Sequence, residues 1–479
     1  MKIYRFFCVF FIGLFLVSCS SLGKTYGTED DSYSVYYLDN GIPVYFHENP
    51  VNRVFYLSTV FKKGALPGND DVSGVAPLGD MEAVTLSLMQ KETDFHSENE
   101  IIKFFSDTSS GCYSGSNQDY SFISFSSIDK YFEKTFDYYS GMLLNPVFSE
   151  PVLEKYKVSY KNRIADFKSD PFAMLNARAF DFLYQNHPYG VIPSVPSEVF
   201  ADSITLEGLS DCHKKLLDKD RIALFFSGDI SPKKLLRLLN RKIGKLESRG
   251  FEAGVIPHLE LDTGIQLVPL EFAENSSYAV RITSAPERDS EDYFPFALAS
   301  MIMDDVLFNV VREKYGLCYS VFNTATVSQS PVNEIIFYRV SDLDRLVSAL
   351  NESFEILKQG KVIKGKSPEG GFEYSGFEEV LHNYKNKYIN SFYGSNTTNR
   401  GLVGMMVLGE LYNGDFSYYE DFSGKIEEIT VQDINRVLDK YWFAASSQWS
   451  IGASSGSITD VNVVDFKEEQ ALHGVKPEA

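Results

Sequence analysis

Histidines decide which zinc-dependent chemistry this chain could perform. A zinc site built on one helix needs two histidines four residues apart, because residues at that spacing lie on the same helical face. The chain has seven histidines, and the two closest, His187 and His213, are 213 − 187 = 26 residues apart. The sequence therefore excludes both H-x-x-E-H and H-E-x-x-H.

Cysteine chemistry is equally sparse. Besides Cys8 and Cys19 near the start, the chain has Cys112, Cys212 and Cys318, which are widely spaced and form no C-x-x-C pair. This pattern is not a disulfide framework. One bridge is compatible with it, but we expect three buried thiols.

Charge and length limit the class of protein. The 45 basic and 65 acidic side chains give 45 − 65 = −20, and hydrophobic residues make up 44% of the chain. Nucleic-acid binding needs clustered Lys and Arg, so we expect no nucleic-acid partner. The acidic excess is typical of a solvated surface. A chain of 479 residues is expected to form more than one domain.

Residues 1–18 have the features of a secretory signal. Lys2 and Arg5 precede an apolar run over 6–17, which is too short to span a bilayer as a helix. Leu16-Val17-Ser18-Cys19 resembles the lipobox of bacterial lipoproteins. That resemblance implies cleavage before Cys19, lipidation of Cys19, a mature charge of −20 − 2 = −22 and an anchor in the bacterial cell envelope, facing the periplasm or exterior. The alternative is an ordinary signal peptide with a chance cysteine.

Strands alternate with amphipathic helices, and one unit occurs twice. Segments 204–228 and 429–452 both read as a capped helix, a short loop and an apolar strand ending in glycine, offset by 429 − 204 = 225 residues. We predict an α+β fold of two homologous halves, each a mostly antiparallel sheet packed against helices. The Gly- and Lys-rich stretch 359–377 is predicted to be an exposed loop. The expected segments are a signal peptide (1–18), a tether (19–34), an N-terminal domain (35–250), a linker (251–264), a C-terminal domain (265–460) and a tail (461–479).

Short motifs occur in a fixed order along both halves. The first two are Leu38-Asp39-Asn40-Gly41, which predicts a hairpin with a turn at Asn-Gly, and Ser97-Glu98-Asn99-Glu100, which predicts a capping box at the start of a helix. The others are Leu143-Leu144-Asn145-Pro146, His187-Pro188-Tyr189-Gly190, and the segment VREKYGLCYS at 311–320. Together they resemble the insulinase/pitrilysin family of zinc metallopeptidases, which includes the mitochondrial processing peptidases. The resemblance covers roughly residues 35–455 and implies that family's two-half fold.

Activity in that family implies an inverted zinc motif, H-x-x-E-H, and a later glutamate as the third ligand. Two alignments of the motif are open, and neither contains a histidine. The first begins after Gly74-Val75-Ala76, and the second is counted back from the segment 88–93. The residues at the H, E and H positions are Pro77, Asp80 and Met81, or Ala83, Leu86 and Ser87. The helix where the later glutamate would fall offers Lys157, Asn162 and Arg163. We therefore expect no cofactor, although active relatives carry zinc.

Arg312 and Tyr319 are the remaining candidate site residues. The resemblance implies that active relatives have an Arg and a Tyr seven residues apart that reach a zinc site. There they bind the substrate backbone and help to stabilise the oxyanion. The alternative is that both residues only support folding. We expect an inactive, substrate-enclosing envelope lipoprotein whose partners are a zinc-bearing homologous subunit and a peptide or unfolded polypeptide. A peptide-binding scaffold lipoprotein is the alternative, and an active peptidase with an unorthodox metal site is a third possibility.

Overall fold

The structure is a computed structural model. It describes residues 24–26, 33–51, 53–63, 80–367, 371–414, 419 and 421–473. The expected signal peptide and the lipidation site Cys19 lie outside the described residues. So does Pro77, the first position of the first zinc-motif alignment.

Strands and helices alternate along the described chain. The strands are β1 (Lys24–Tyr26), β2 (Tyr33–Tyr37), β3 (Pro43–Glu48), β4 (Val54–Lys62), β5 (Gly111–Ser116), β6 (Tyr120–Ile128), β7 (Ile222–Gly228), β8 (Gly264–Pro269), β9 (Ser277–Ser284), β10 (Cys318–Ala325), β11 (Val332–Val340), β12 (Lys361–Lys366), β13 (Phe372–Gly376) and β14 (Gln448–Ala453). The helices are α1 (Met81–Met89), α2 (Glu98–Thr108), α3 (Phe132–Leu144), α4 (Glu150–Ser169), α5 (Pro171–Leu183), α6 (Glu198–Ser203), α7 (Leu206–Leu216), α8 (Pro232–Lys242), α9 (Tyr293–Leu307), α10 (Leu343–Lys358), α11 (Phe377–Ser395), α12 (Asn399–Tyr412), α13 (Phe422–Glu428), α14 (Val431–Leu438) and α15 (Val464–His473).

The two main sheets repeat one topology. The first has the order β1-β2-β3-β7-β4-β6-β5 and the second β8-β14-β9-β11-β10. In each sheet a single parallel pair, β3 with β7 or β14 with β8, adjoins antiparallel neighbours. The predicted α+β fold of two homologous halves, each a mostly antiparallel sheet packed against helices, is confirmed.

Local sequence signals explain why these elements form. Gly41 adopts a φ of +89°, as the turn between β2 and β3 requires, so the predicted Asn-Gly hairpin is present. Ser97 forms the predicted capping box with Glu100 at the start of α2. Thr205 and Thr430 cap α7 and α14, the helices of the repeated unit.

One helix from each half packs on the sheet of the other half. Helix α5 packs on β8, β9 and β14 of the second sheet, where Leu175 and Leu183 join a buried cluster with Val280. Helix α12 packs on β4 and β7 of the first sheet. The apolar faces of both sheets are therefore closed by exchange, which joins the halves into one packed body.

Buried hydrogen bonds to Asp119 reinforce this junction. Its carboxylate accepts from the hydroxyl groups of Tyr189 at 2.5 Å and Tyr412 at 2.8 Å, and from the backbone N–H of Gln329 at 3.0 Å. Burial, followed by the contact with Asp119, raises the pKa of both tyrosines. One carboxylate in the β5–β6 turn thus connects residues of both halves.

Helix α9 and the segment that continues it form the core of the second half. The range Tyr293–Lys314 is long and apolar enough to cross a membrane by length and composition. Its side chains Leu298, Ile302 and Val306 are nevertheless fully buried inside the fold. We interpret it as a core helix of the second half.

The prediction of an exposed loop over 359–377 is wrong. Strands β12 and β13 form an antiparallel hairpin there, with Lys361 opposite Gly376. Val362 and Ile363 are buried against the core of the second half. This burial stabilises strand structure that the glycines and lysines of the segment obscure.

Candidate functional site

Helix α1 carries the segment where the zinc motif of active relatives would lie. Asp80 caps it by accepting from the backbone N–H groups of Glu82 and Ala83 at 3.0 and 3.2 Å. Because α1 spans Met81–Met89, the second alignment of the motif lies wholly on this helix. Of the first alignment, only Met81 lies on this helix.

The second alignment puts no metal ligand on α1. Leu86 is fully buried in the core beneath the first sheet, together with Met89. Ala83 and Ser87 are half-buried and lie four residues apart, where the two imidazoles of an inverted motif would stand. A methyl group and a hydroxyl group cannot replace them as zinc ligands.

Two basic side chains neutralise the carboxylates at the start of α1. Arg221 donates through Nη2 to Oε1 of Glu82 at 2.8 Å, and the hydroxyl group of Ser121 donates to Oε2 of the same residue at 2.5 Å. The ammonium group of Lys63 lies 3.1 Å from Oδ2 of Asp80. A guanidinium and an ammonium group thus occupy positions where they would repel a metal cation.

On helix α4, the positions where a later glutamate would fall hold Lys157, Asn162 and Arg163 instead. Arg163 lies over the rings of Tyr156 and Tyr160, at 5.4 and 5.5 Å from their centroids. Lys157 pairs with Glu154 at 3.3 Å. Across the described residues, no three His, Cys, Asp or Glu side chains converge to hold a metal ion. The side chains on these helices do not fit the zinc that the fold family implies.

Three histidines of the first half serve other contacts. His96 stacks on Tyr138 with centroids 4.0 Å apart. His213 contacts the carbonyl oxygen of Leu143 at 2.9 Å, and burial lowers its pKa. His187 accepts from the backbone N–H of Tyr189 at 3.2 Å, which shapes the His-Pro-Tyr-Gly turn.

Glycine is required at the end of that turn. A Cβ atom on Gly190 would lie 2.0 Å from the backbone oxygen of Tyr184. Any larger residue would force the turn away from α5, which ends one residue before Tyr184. The motif therefore has a packing reason in this chain.

The cysteines that the structure describes are three free thiols. Cys318 is buried, and Cys112 and Cys212 are half-buried. Burial raises the pKa of Cys112 to about 12 and the pKa values of Cys212 and Cys318 to about 11. Each thiol is therefore protonated at neutral pH and a poor nucleophile.

Arg312 and Tyr319 lie side by side on the surface of the second half. The guanidinium carbon of Arg312 is 5.6 Å from the centroid of the Tyr319 ring and 5.1 Å from that of Phe308. Tyr319 is 68% exposed, and the Arg312 side chain is 40% exposed. Both side chains are therefore partly open to a molecule outside the chain, and Nε of Arg312 also lies 3.9 Å from a carboxylate oxygen of Glu313.

A distorted helix and an edge strand hold this pair. Arg312 lies in a π-helical segment, Phe308–Lys314, that continues α9. Gly316, with a φ of +62°, turns the chain into β10, which begins at Cys318 and forms the edge of the second sheet. Isolated π-helical turns are frequent at functional sites, because they re-aim side chains without ending the helix.

Sequence patterns did not predict two sets of contacts, the Arg221–Glu82 ion pair and the hydrogen bonds to Asp119. The Arg221–Glu82 pair joins residues 139 positions apart, and the Asp119 junction joins residues up to 293 positions apart. No local spacing encodes such contacts. The only sequence signal was the Asn117-x-Asp119 turn between two strands, which was compatible with an ordinary hairpin.

Sequence comparisons find similarity between this chain and proteins described as inactive peptidases. The family model described as the peptidase M16 inactive domain matches residues 203–364. The "probable inactive metalloprotease" YmfF of Bacillus subtilis is 21% identical over 310 residues, which is 63% of this chain and 68% of that protein.

Solved structures share the fold over most of the chain. A peptidase M16 inactive domain from Pseudomonas fluorescens superposes with a TM-score of 0.75 at 18% identity, covering 88% of this chain and 98% of that one. The periplasmic protease PqqL of Escherichia coli gives a TM-score of 0.73 at 14% identity, covering 94% of this chain but only 49% of that one. PqqL thus has about twice the length of the matched fold.

Proposed function

Because this chain is a degenerate member of the insulinase/pitrilysin-type metallopeptidase family, we propose that it is the non-catalytic subunit of a two-chain peptidase. Its role is to enclose a peptide or unfolded polypeptide together with a homologous subunit that carries zinc. Arg312 and Tyr319 are the residues that it contributes to the shared site.

The exposed Arg312–Tyr319 pair is the observation that carries this proposal. A guanidinium group next to a tyrosine hydroxyl group supplies hydrogen-bond donors for a peptide carbonyl oxygen and for the oxyanion formed from it. The described residues of the chain's own helices α1 and α4 provide no zinc site for the pair to serve. For the pair to act on a metal-bound substrate, a second chain would have to supply the metal.

The length of PqqL supports a paired arrangement. Since nearly all of this chain matches 49% of PqqL, that protease is long enough to hold two units of this size in one polypeptide. Two separate chains could form the equivalent pair. An enclosed space between two such units would exclude water from the bound peptide.

A reconstitution experiment tests the proposal. The full chain is mixed with a zinc-bearing homologue from the same genome, and peptide cleavage, zinc content and association are measured. We expect zinc and activity to require the partner, and Arg312→Ala to reduce the activity of the mixture about 100-fold without changing association. Arg345→Ala is the matched control, because Arg345 is exposed and also lies over a tyrosine ring, at 5.4 Å from Tyr315. Unchanged activity of the Arg312→Ala mixture would refute the complementing role.

A peptide-binding scaffold is the second candidate function. Strand β5 forms an edge of the first sheet and lies beside α1, where the side chain of Gln90 donates to Ser114 at 2.8 Å. Edge strands can bind an extended peptide as an added strand. Binding of a reduced, carboxymethylated protein by the single chain, with no association between the chain and any zinc-bearing homologue, would favour this function over the first.

Location in the cell envelope is part of the proposal and rests on residues 1–19. The apolar leader and the Leu-Val-Ser-Cys segment support lipidation of Cys19 and an anchor in a membrane that faces the periplasm or exterior. Metabolic labelling with a fatty acid should mark the wild-type chain but not Cys19→Ser. Fractionation should then find the variant released from the membrane, and a labelled Cys19→Ser chain would contradict this location.

A further inference from the structure

Helix α8 and the turn that follows it carry a basic surface on an acidic chain. Residues 232–249 include seven basic side chains and one acidic side chain, so the segment has a charge of 7 − 1 = +6 in a chain of −20. Six of the seven are exposed and form what we call the basic face: Lys233, Lys234, Arg237, Arg241, Lys245 and Arg249. Such a local excess of one sign attracts ligands of the opposite sign.

The pattern of α8 directs these charges outward. Leu235, Leu238 and Leu239 are buried in the core beneath the first sheet. Arg237 and Arg241 are four residues apart, about one turn of helix, so both lie on the side of α8 that faces away from this core.

Acidic side chains neutralise little of the basic face. Lys234 pairs with Glu133 at 2.7 Å, and its side chain is still 44% exposed. The other five residues of the face form no ion pair within the described part of the chain, although Asp229 and Glu247 are exposed acids close to them in sequence. The hydrogen bond from Lys234, and then the charges of Lys234, Arg241 and Arg237, lower the pKa of Glu133. Several cations therefore share one carboxylate.

The basic face adjoins the turn between β2 and β3. Asn240 of α8 accepts from the backbone N–H of Asp39 at 2.9 Å, and the side chain of Asn40 donates to the carbonyl oxygen of Leu246 at 2.9 Å. The C-terminal end of α8 is thereby fixed at this turn.

The chain also enters the fold toward this turn. Lys24, the first residue of β1, lies opposite Val35, whereas Tyr26 lies opposite Tyr33, so the start of β1 is its end nearer to the turn. Cys19 precedes Lys24 by five residues, which span at most about 18 Å. A lipid on Cys19 would therefore hold this end of the first sheet, and α8 with it, close to the membrane surface.

Helix α8 covers the face of the first sheet that is turned away from the second half. Its leucines share a buried cluster with Phe46 of β3, whereas the neighbouring Tyr45 belongs to the cluster that contains Val403 of α12. Successive residues of a strand point to opposite faces. A membrane on the α8 side would therefore leave Arg312 and Tyr319, in the second half, accessible to a partner subunit.

We propose that the basic face binds the anionic phospholipid headgroups of the membrane that holds the lipid anchor. This inference rests on the proposed anchor at Cys19 and deepens it, because it defines how the tethered body is oriented. Charge complementarity favours this occupant, since phosphate groups attract Lys and Arg within a Debye length of the surface. The attraction alone is weak and reversible, so the lipid holds the chain and the basic face orients it.

Vesicle binding by the chain from residue 20 onward tests the inference. This chain lacks the leader and Cys19 but keeps every residue that the structure describes. At low salt it should bind vesicles of equal parts phosphatidylcholine and phosphatidylglycerol, and not vesicles of phosphatidylcholine alone. The triple variant Arg237→Gln, Arg241→Gln, Lys245→Gln should bind about 100-fold more weakly, roughly fivefold for each charge removed.

The triple variant Lys168→Gln, Lys364→Gln, Lys467→Gln is the matched control. It removes the same charge from exposed side chains on α4, β12 and α15. Its affinity should stay within about threefold of the wild type, because salt screens charges that are far from the bound surface. No binding to the anionic vesicles, or an equal loss in both triple variants, would overturn the inference.

The lipidated full chain, attached to the same two kinds of vesicle, tests the orientation. Acetylation followed by mass spectrometry should be slower at Lys233 and Lys245 on anionic vesicles than on neutral ones, and equal on both at Lys364 and Lys467. Equal acetylation of Lys233 and Lys245 on the two kinds of vesicle would refute the orientation.

The proposals can fail separately. Fatty-acid labelling of Cys19→Ser would refute the lipid anchor, and loss of the Arg312 effect in the reconstituted mixture would refute the subunit function. Neither result changes vesicle binding by the chain from residue 20 onward, and absence of that binding would refute the basic face alone.

Discussion

The guanidinium group of Arg221 donates to the carboxylate of Glu82 at 2.8 Å, in the first turn of the helix that should bear a zinc motif. Arg221 is 6% exposed at its side chain and Glu82 is 21% exposed. The pair is therefore largely removed from water, so each charge depends on the other. A structural ion pair thus lies close to where a catalytic metal would otherwise be held.

Removing one member of this pair should destabilise the fold. We expect Arg221→Met to lower the free energy of unfolding by about 2–3 kcal/mol, because Glu82 would remain as a partly buried, unpaired charge. The double variant Arg221→Met, Glu82→Met should lose less than the single variant, as measured by urea denaturation. Arg53→Ala is the control, since its pair with Asp129 is exposed and should contribute less than about 1 kcal/mol. A double variant less stable than the single one would contradict this account.

Local signals predicted much of the fold. The hairpin at Gly41, the capping box at Ser97 and the repeated unit capped by Thr205 and Thr430 each depend on residues close in sequence, and all are present. The absence of a two-histidine zinc motif followed from residue spacing alone. These features are predictable because their physical causes act over one or two turns of chain.

Such local patterns could not predict contacts between segments that are distant in sequence. The exchange of α5 and α12 between the sheets depends on how two halves pack. The β12–β13 hairpin was missed because its glycines suggested a loop, while burial of Val362 decided the structure. Tertiary packing overrides local propensity in such segments.

Arg312 and Tyr319 should be dispensable for stability if their role is functional. We expect Arg312→Ala and Tyr319→Ala each to change the free energy of unfolding by no more than about 1 kcal/mol, because Tyr319 is exposed and Arg312 is half-exposed with contacts to ring faces. Arg281→Met provides the contrast, since Arg281 is fully buried and pairs with Glu469 at 2.9 Å. That variant should lose about 3–5 kcal/mol. A loss of more than 2 kcal/mol for Arg312→Ala would favour a purely structural role for Arg312.

Asp119 should couple the unfolding of the two halves. Asp119→Ala would leave the hydroxyl groups of Tyr189 and Tyr412 without their acceptor, and we expect a loss of about 3 kcal/mol. Both tryptophans, Trp442 and Trp449, lie in the second half. Their fluorescence therefore reports on that half, while circular dichroism reports on the whole chain.

The two signals should give coincident urea transitions in the wild type and separate transitions in Asp119→Ala. Asp129→Ala, which removes an exposed carboxylate, should leave them coincident. Coincident transitions in the Asp119→Ala variant would show that the exchanged helices alone couple the halves.

Glu334 should make the protein less stable as the pH rises toward neutrality. It lies on β11, is 5% exposed, and its Oε2 atom has no hydrogen-bond partner among the described residues. Burial raises its pKa from 4.5 to about 7. Between these values the folded chain keeps a proton that the unfolded chain has lost, so stability falls with rising pH in that window and is constant above it.

The variant Glu334→Gln should remove this loss. At pH 8 we expect it to unfold with a free energy up to about 3 kcal/mol higher than the wild type, and at pH 4.5 the two should be similar. Denaturation in urea at several pH values measures the difference, with Glu252→Gln as an exposed control. A difference between Glu334→Gln and the wild type that did not grow between pH 4.5 and 7 would mean that Glu334 titrates normally. In that case the carboxylate must be solvated or paired in solution.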